Sequence, residues 1–113
     1  TSIYGKTVGA ALGTTLTTAL LANALNSGKL LKVNSIIVAN KDGASAADVT
    51  ISFHNGSTDY YLASTVSVPS DSTLIVLGKD APIYLEENHT IRGGASATGD
   101  LDCIISYEEL DDA

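Results

Sequence analysis

The run Asp48-Val49-Thr50-Ile51-Ser52-Phe53-His54 alternates apolar and polar side chains, and Asn55-Gly56 follows it directly. Val49, Ile51 and Phe53 share one face of an extended chain and Thr50, Ser52 and His54 the other, the period of a strand buried on one side. Asn-Gly is the dipeptide that most readily takes positive φ at both central positions of a tight hairpin turn. A two-residue loop sets Ile51 against Tyr60 and Val49 against Leu62. A four-residue loop over 55–58 keeps the parity and sets Phe53 against Tyr60. A three-residue loop needs a bulge, because a one-residue slip turns every side chain over. The stretch predicts antiparallel β-structure and carries no chemistry of its own.

The rest of the chain repeats this style. Residues 14–24 fit a helix by their leucines (Leu16, Leu20, Leu21) and a strand by the threonines at 14, 15, 17 and 18; the β character downstream favours the strand. Ile36-Ile37-Val38-Ala39 is an uncharged apolar run, which suits a strand covered on both faces. The return strand of the hairpin runs from about Tyr60 to Val68 and stops at Pro69, which cannot donate to a ladder. Further strands are expected at 73–77, 83–85, 89–92 and 101–108, with Gly93-Gly94 marking a bend or bulge. Seven or eight short strands separated by regular turn signals predict an all-β, antiparallel sandwich of jelly-roll type. The acidic end Glu108-Glu109-Leu110-Asp111-Asp112 is expected to hang in solvent. The domain therefore spans residues 14–109, with 110–113 as an acidic tail.

Residues 1–13 carry Gly5, Gly9 and Gly13, too much glycine for a stable helix. They read either as a frayed tail or as an extended arm that orders on a neighbouring subunit, where Ile3, Tyr4, Val8 and Leu12 would be buried. Together with Tyr60 and Tyr61 these are the candidate partner-interface residues, since tyrosine joins apolar area to a polar tip.

Composition narrows the function. With 113 residues the chain is one domain, large enough to bury about two thirds of its unfolded surface. There is no Trp and one Phe, so the core is aliphatic. The net charge of -7 and six scattered basic residues disfavour binding to nucleic acid or to an anionic membrane. Cys103 is the single cysteine and reads as a small buried hydrophobe; a chain without bridges fits a reducing cytoplasm. No apolar run is long enough to span a membrane, and no secretion signal opens the chain. The absence of Met and the start at Thr1 suggest removal of an initiator Met.

No constellation of catalytic or metal-binding type emerges. His54 and His89 are the two histidines, fewer than a zinc site needs. No Gly-x-Ser-x-Gly elbow is present. Glu86-Glu87 is a solvated turn, since neighbours in an extended chain point apart. Asn40-Lys41-Asp42-Gly43 lacks the alternating acids of a calcium loop. Asn55-Gly56-Ser57 and Asn88-His89-Thr90 match the glycosylation sequon, but Asn55 serves the turn. Tyr60, Tyr61, Tyr84 and Tyr107 are of a type that stacks on sugar rings, so a carbohydrate-binding sandwich using Tyr60, Tyr61 and loop acids stays open; the plainer role is to cover the core edge. No catalytic residue, cofactor or metal is assigned.

Several segments carry a resemblance. They are Ile36-Ile37-Val38-Ala39-Asn40, Asp48-Val49-Thr50-Ile51-Ser52-Phe53, Tyr61-Leu62-Ala63, Val66-Ser67-Val68-Pro69, Ser72-Thr73-Leu74, Ile83-Tyr84-Leu85-Glu86-Glu87 and Ile105-Ser106-Tyr107-Glu108. Over about Leu30 to Glu109 the chain resembles the small β-rich virion structural proteins of tailed bacteriophages, especially those of marine bacteria and cyanobacteria. The N-terminal third departs from that pattern by its Ala and Gly content. The resemblance implies a non-enzymatic protein of the virion, assembled in the host bacterial cytoplasm. It implies a capsid decoration or cement protein first, and a tail, baseplate or fibre-associated module second. Its partners would be the major capsid protein or other virion proteins, and it would form a homo-oligomer, a trimer at a three-fold site.

Overall fold

A computed structural model describes residues 2–111 as an all-β protein of two antiparallel sheets. The strands are β1 (Ser2–Ala11), β2 (Ala19–Ala22), β3 (Lys29–Asn40), β4 (Ala47–His54), β5 (Asp59–Val68), β6 (Thr73–Leu77), β7 (Ile83–Leu85), β8 (Thr90–Ala95) and β9 (Leu101–Asp111). One sheet runs β1-β9-β3-β6, with β7 beside β6 on the same edge of β3; the other runs β2-β8-β4-β5. The pairings nest: β4 with β5, β3 with β6 and β7, β2 with β8, β1 with β9. The chain is thus one long two-stranded ribbon, wound so that β9 also meets β3 and β8 also meets β4.

The central hairpin takes the four-residue loop. Phe53 faces Tyr60 and His54 faces Asp59. Asn55 closes the loop: its Oδ1 accepts from the Ser57 and Thr58 amides at 3.1 and 2.9 Å, while Gly56 takes φ 98°. Val49 and Ile51 are fully buried, and Phe53 packs against the same core.

β3 is the strand that joins everything in the first sheet. Leu31 and Val33 face the core, and so do Ile36 and Val38, although the two pairs differ in parity. An extra residue at Asn34 reconciles them: pairing with β9 steps from Val33↔Tyr107 to Ser35↔Ser106, a bulge that restores the inward face. Ile36, Val38, Cys103 and Ile105 then pack against Val49, Ile51 and Ile91 of the second sheet. The apolar run in β3 is covered on one face only; Ile37 lies on the open face with partner Ile75.

Two buried asparagines tie the sheets together. Asn40 Nδ2 donates to the Ser45 and Val68 carbonyls at 3.0 and 2.9 Å, and its Oδ1 accepts from the Asp42 amide at 2.9 Å. Asn23 Nδ2 donates to the Lys29 and Leu85 carbonyls at 2.8 and 2.9 Å. No buried side-chain polar atom among the described residues lacks a partner.

The structure departs from expectation in four further places. The N-terminal stretch is extended, but its partner is the chain's own β9 over ten paired positions, from Ser2↔Asp111 to Ala11↔Asp102. The alternation Val8, Ala10 toward the core lets it complete the sheet, and Leu12 is 1% exposed in the interior. Only residues 19–22 of the 14–24 segment form strand; 13–18 run along β8, with the Gly93 and Ala95 amides donating to the Thr18 and Gly13 carbonyls. Gly93-Gly94 makes no bend and lies within β8, because a Cβ on Gly94 would stand 2.6 Å from the Thr15 carbonyl oxygen and one on Gly93 2.6 Å from that of Thr50. The acidic end is part of β9 as far as Asp111, held by lysines of β1 and β3. Thr1, Asp112 and Ala113, parts of the expected arm and tail, lie outside the described residues.

Two outcomes are expected. Gly94→Ala should lower stability by about 2 kcal/mol or more through overpacking against backbone, whereas Gly5→Ala, with nothing within 4 Å of its Cβ position, should stay within about 0.5 kcal/mol of wild type in urea unfolding. Burial pushes the Cys103 thiol up from 9.0 to about 11. The unfolded chain therefore loses this proton first on raising the pH. Its contribution should hold below pH 9 and fade toward pH 11, giving a fall in unfolding midpoint over that window that Cys103→Ala removes.

Candidate interaction surfaces

The outer face of the second sheet carries one polar cluster. Ser52 and His54 point outward from β4, Asp59 opens β5 opposite His54, and Arg92 lies opposite Ser52 on β8. Asp59 collects all three. His54 Nδ1 donates to Oδ1 at 3.1 Å, Ser52 Oγ to the same oxygen at 3.4 Å, and Arg92 Nη1 to Oδ2 at 3.5 Å. This is a Ser, a His and an Asp in contact, but not in catalytic order. Nucleophilic catalysis needs the serine hydroxyl on the imidazole and the carboxylate behind it; here both serine and histidine spend their donors on the carboxylate. The cluster ties β5 to β4 and β8. His89 stands apart, edge-on to Phe53 with ring centroids 5.1 Å apart and Nδ1 accepting from the Glu86 amide. No group of three metal-ligating side chains exists among the described residues.

Four of the exposed large apolar side chains, Ile3, Tyr4, Tyr60 and Tyr61, fall toward one end of the molecule. Gly56 abuts Asn88, whose amide donates to the Asn23 carbonyl; Asn23 in turn binds Lys29, and Lys29 shares Glu109 with Lys6 at 3.4 and 3.3 Å. Around this chain of contacts Ile3 and Tyr4 project from β1, and Tyr60 and Tyr61, 57% and 62% exposed, from β5. Tyr60 and Tyr61 are neighbours in an extended strand and face opposite ways, so they make no joint platform for a sugar ring. Of the expected interface residues, Ile3, Tyr4, Tyr60 and Tyr61 are at the surface. Val8 packs on the core and Leu12 lies within it.

A second surface was not expected from the sequence. On the outer face of the first sheet the register aligns Gly9, Ile104, Ile37 and Ile75 in one row across β1, β9, β3 and β6. Ile75 is 66% and Ile104 41% exposed. The signal was present as adjacent isoleucines, Ile36-Ile37 and Ile104-Ile105: in a sheet with one open face, one member of each pair must point to solvent. Beside the row, Lys41 pairs with Asp102 at 3.1 Å; toward the other end, Lys32 approaches Glu108 at 3.8 Å.

No protein-family model matches the chain, and no curated protein sequence matches it. Among solved structures it is similar to a pentameric capsid protein isolated from metagenomic phage sequences, seen in two crystal structures, with 17% identity and a TM-score of 0.42 for each. The match covers 93% of this chain and 60% and 61% of those chains, so this chain spans about three fifths of their length.

Asp59→Asn should cost about 1 kcal/mol, because partly exposed charge-assisted bonds are weakened while the amide still accepts one of them. The loss should appear as a lower urea midpoint with unchanged β-type circular dichroism.

Proposed function

We propose that this protein is a non-enzymatic structural component of a bacteriophage particle, a decoration protein that binds and braces the head surface. The observation that carries the reading is the winding of the chain. Nested pairing of β4 with β5 outward to β1 with β9, closed by β9 on β3 and β8 on β4, agrees with a jelly-roll course, an architecture recurrent in viral capsid domains. The resemblance of the strand-and-turn pattern over Leu30 to Glu109 to small phage virion proteins points the same way. The surface agrees with it: the polar cluster on Asp59 is internally satisfied, and the projecting groups are of interface type.

The tip bearing Ile3, Tyr4, Tyr60 and Tyr61 is the surface that meets the shell. Apolar and tyrosine side chains there supply contact area. On the particle, copies cluster around a local three-fold axis, the trimer suited to such a site. A tail, baseplate or fibre-associated component would use the same tip, and copy number separates the two.

Mass spectrometric counting in intact particles should find on the order of hundreds of copies, as repetition over a symmetric shell requires; a handful would place the protein in the tail. Stripping it should lower the temperature at which the shell opens. Removing residues 1–13 would take Leu12 from the core, so attachment is better tested by Ile3→Ser with Tyr4→Ala. That variant should fold normally and bind stripped shells at least about tenfold more weakly; unchanged binding would move the contact elsewhere.

A further inference from the structure

We propose that two copies of this chain associate through the open face of the β1-β9-β3-β6 sheet, about a two-fold axis parallel to the strands, so that Ile75 of each copy seats over Gly9 of the other. One row across the middle of this face is apolar, where an exposed sheet face is ordinarily polar. That row holds three isoleucines and a glycine, with no charge among them. A hollow of about 310 Å³ lies along β1 and β9, lined by Gly9, Ala10, Ala11, Asp102, Cys103 and Ile104. At the far end of the same row Ile75 stands up, 66% exposed. One sheet thus carries a knob and a hollow on opposite sides of its middle.

Symmetry decides how a second copy fits. Two like sheets meeting face to face are related by an axis lying between them. An axis perpendicular to the strands sets each strand over itself. Ile75 then meets Ile75 and Gly9 meets Gly9, a collision at one side and a void at the other. An axis parallel to the strands, midway between β9 and β3, exchanges β1 with β6 and β9 with β3. Each Ile75 then enters the hollow at the other copy's Gly9, and each Ile104 lies on the other's Ile37. Aligned packing of this kind, with strand directions about 30° apart, is the usual way sheets stack.

The charges support the same choice. The acids flanking the row, Asp102 and Glu108, are on β9, and the lysines they pair with, Lys41 and Lys32, follow or belong to β3. Exchanging β9 with β3 brings the acid-bearing strand of one copy over the lysine side of the other, and Asp102 and Lys41, next to the row, gain most. Three strands of about ten residues and the five-residue β6, about 4.8 Å apart, present on the order of 550 Å² in projection, below the roughly 800 Å² per partner of a standard specific interface. The pair is therefore weak, and forms at micromolar concentration or above. It is read from this face alone: solution mass tests it, whereas copy counting in particles tests the proposed function.

Sedimentation equilibrium over about 1–300 µM, the range expected for a contact of this size, should show the mass rising from 11.6 kDa toward twice that value. Ile75→Lys changes a solvent-exposed side chain. Gly9→Leu adds one where only the Cys103 carbonyl oxygen, at 4.0 Å, lies near the Cβ position. Each should keep the circular dichroism and unfolding midpoint of wild type yet weaken pairing at least about 30-fold, the loss typical of an interface hot spot. Combining Gly9→Leu with Ile75→Ala exchanges knob and hollow and should restore pairing. A monomer at all concentrations, a trimer, a dimer indifferent to both single changes, or failure of the exchange to restore it would each overturn the proposal.

Discussion

Everything in this molecule depends on one local irregularity in β3. Its core-facing residues are odd-numbered at Leu31 and Val33 and even-numbered at Ile36 and Val38. A regular strand would bury one pair and present the other to water, at about 1.5–3 kcal/mol for each side chain left exposed. The bulge at Asn34 lets both pairs face inward. The price is a single out-of-ladder residue, whose side-chain amide reaches Glu108 Oε2 at 3.3 Å. Because β3 pairs with β9 on one edge and with β6 and β7 on the other, the bulge sets the register of the whole first sheet. That sheet's inner face is the floor on which Val49, Ile51 and Ile91 rest.

Polar groups do their structural work where that aliphatic layer ends. Asn40 closes one end by reaching Val68, and Asn23 the other by reaching Leu85. Each spans from one sheet to the other and leaves no orphaned donor, which is the condition for burying an amide without large cost. Asp59 plays a comparable part on the outside of the second sheet. The chain places a histidine, a serine and an arginine around a carboxylate, the materials of a catalytic site, and uses them as a fastening between strands. Residue types alone suggest chemistry here; the direction of each donor removes it.

Most of the strand pattern was legible because alternation and turn residues agree along the chain. The strands flanking the Asn55-Gly56 turn, the return to Pro69 and the buried Cys103 follow from side-chain period and loop composition, whereas the loop length is fixed only by the pairing of His54 with Asp59. The points that were not legible share a cause: each depends on a segment far away in sequence. Glycine content at 5, 9 and 13 hides a strand, because the ten positions opposite it come from β9. Gly93-Gly94 resembles a bend, because the carbonyls that exclude a Cβ belong to Thr15 and Thr50. The apolar run of β3 suggests cover on both faces, because nothing local says that the outer one stays open. The surface row Gly9, Ile104, Ile37, Ile75 is assembled from four segments, and only the register brings it into being.

The nested winding has a mechanical consequence. Ser2 and Asp111 are partners in the β1–β9 ladder, so both ends of the described chain leave from the same tip. Tension applied between them pulls at right angles to the strands and loads the ladder one rung at a time, like a zipper, rather than shearing all rungs together. Such a joint yields at low force and in small steps. A load entering through the broad sides of the sheets is instead shared across the whole aliphatic layer. The molecule is therefore soft when drawn by its ends and stiff when pressed on its faces.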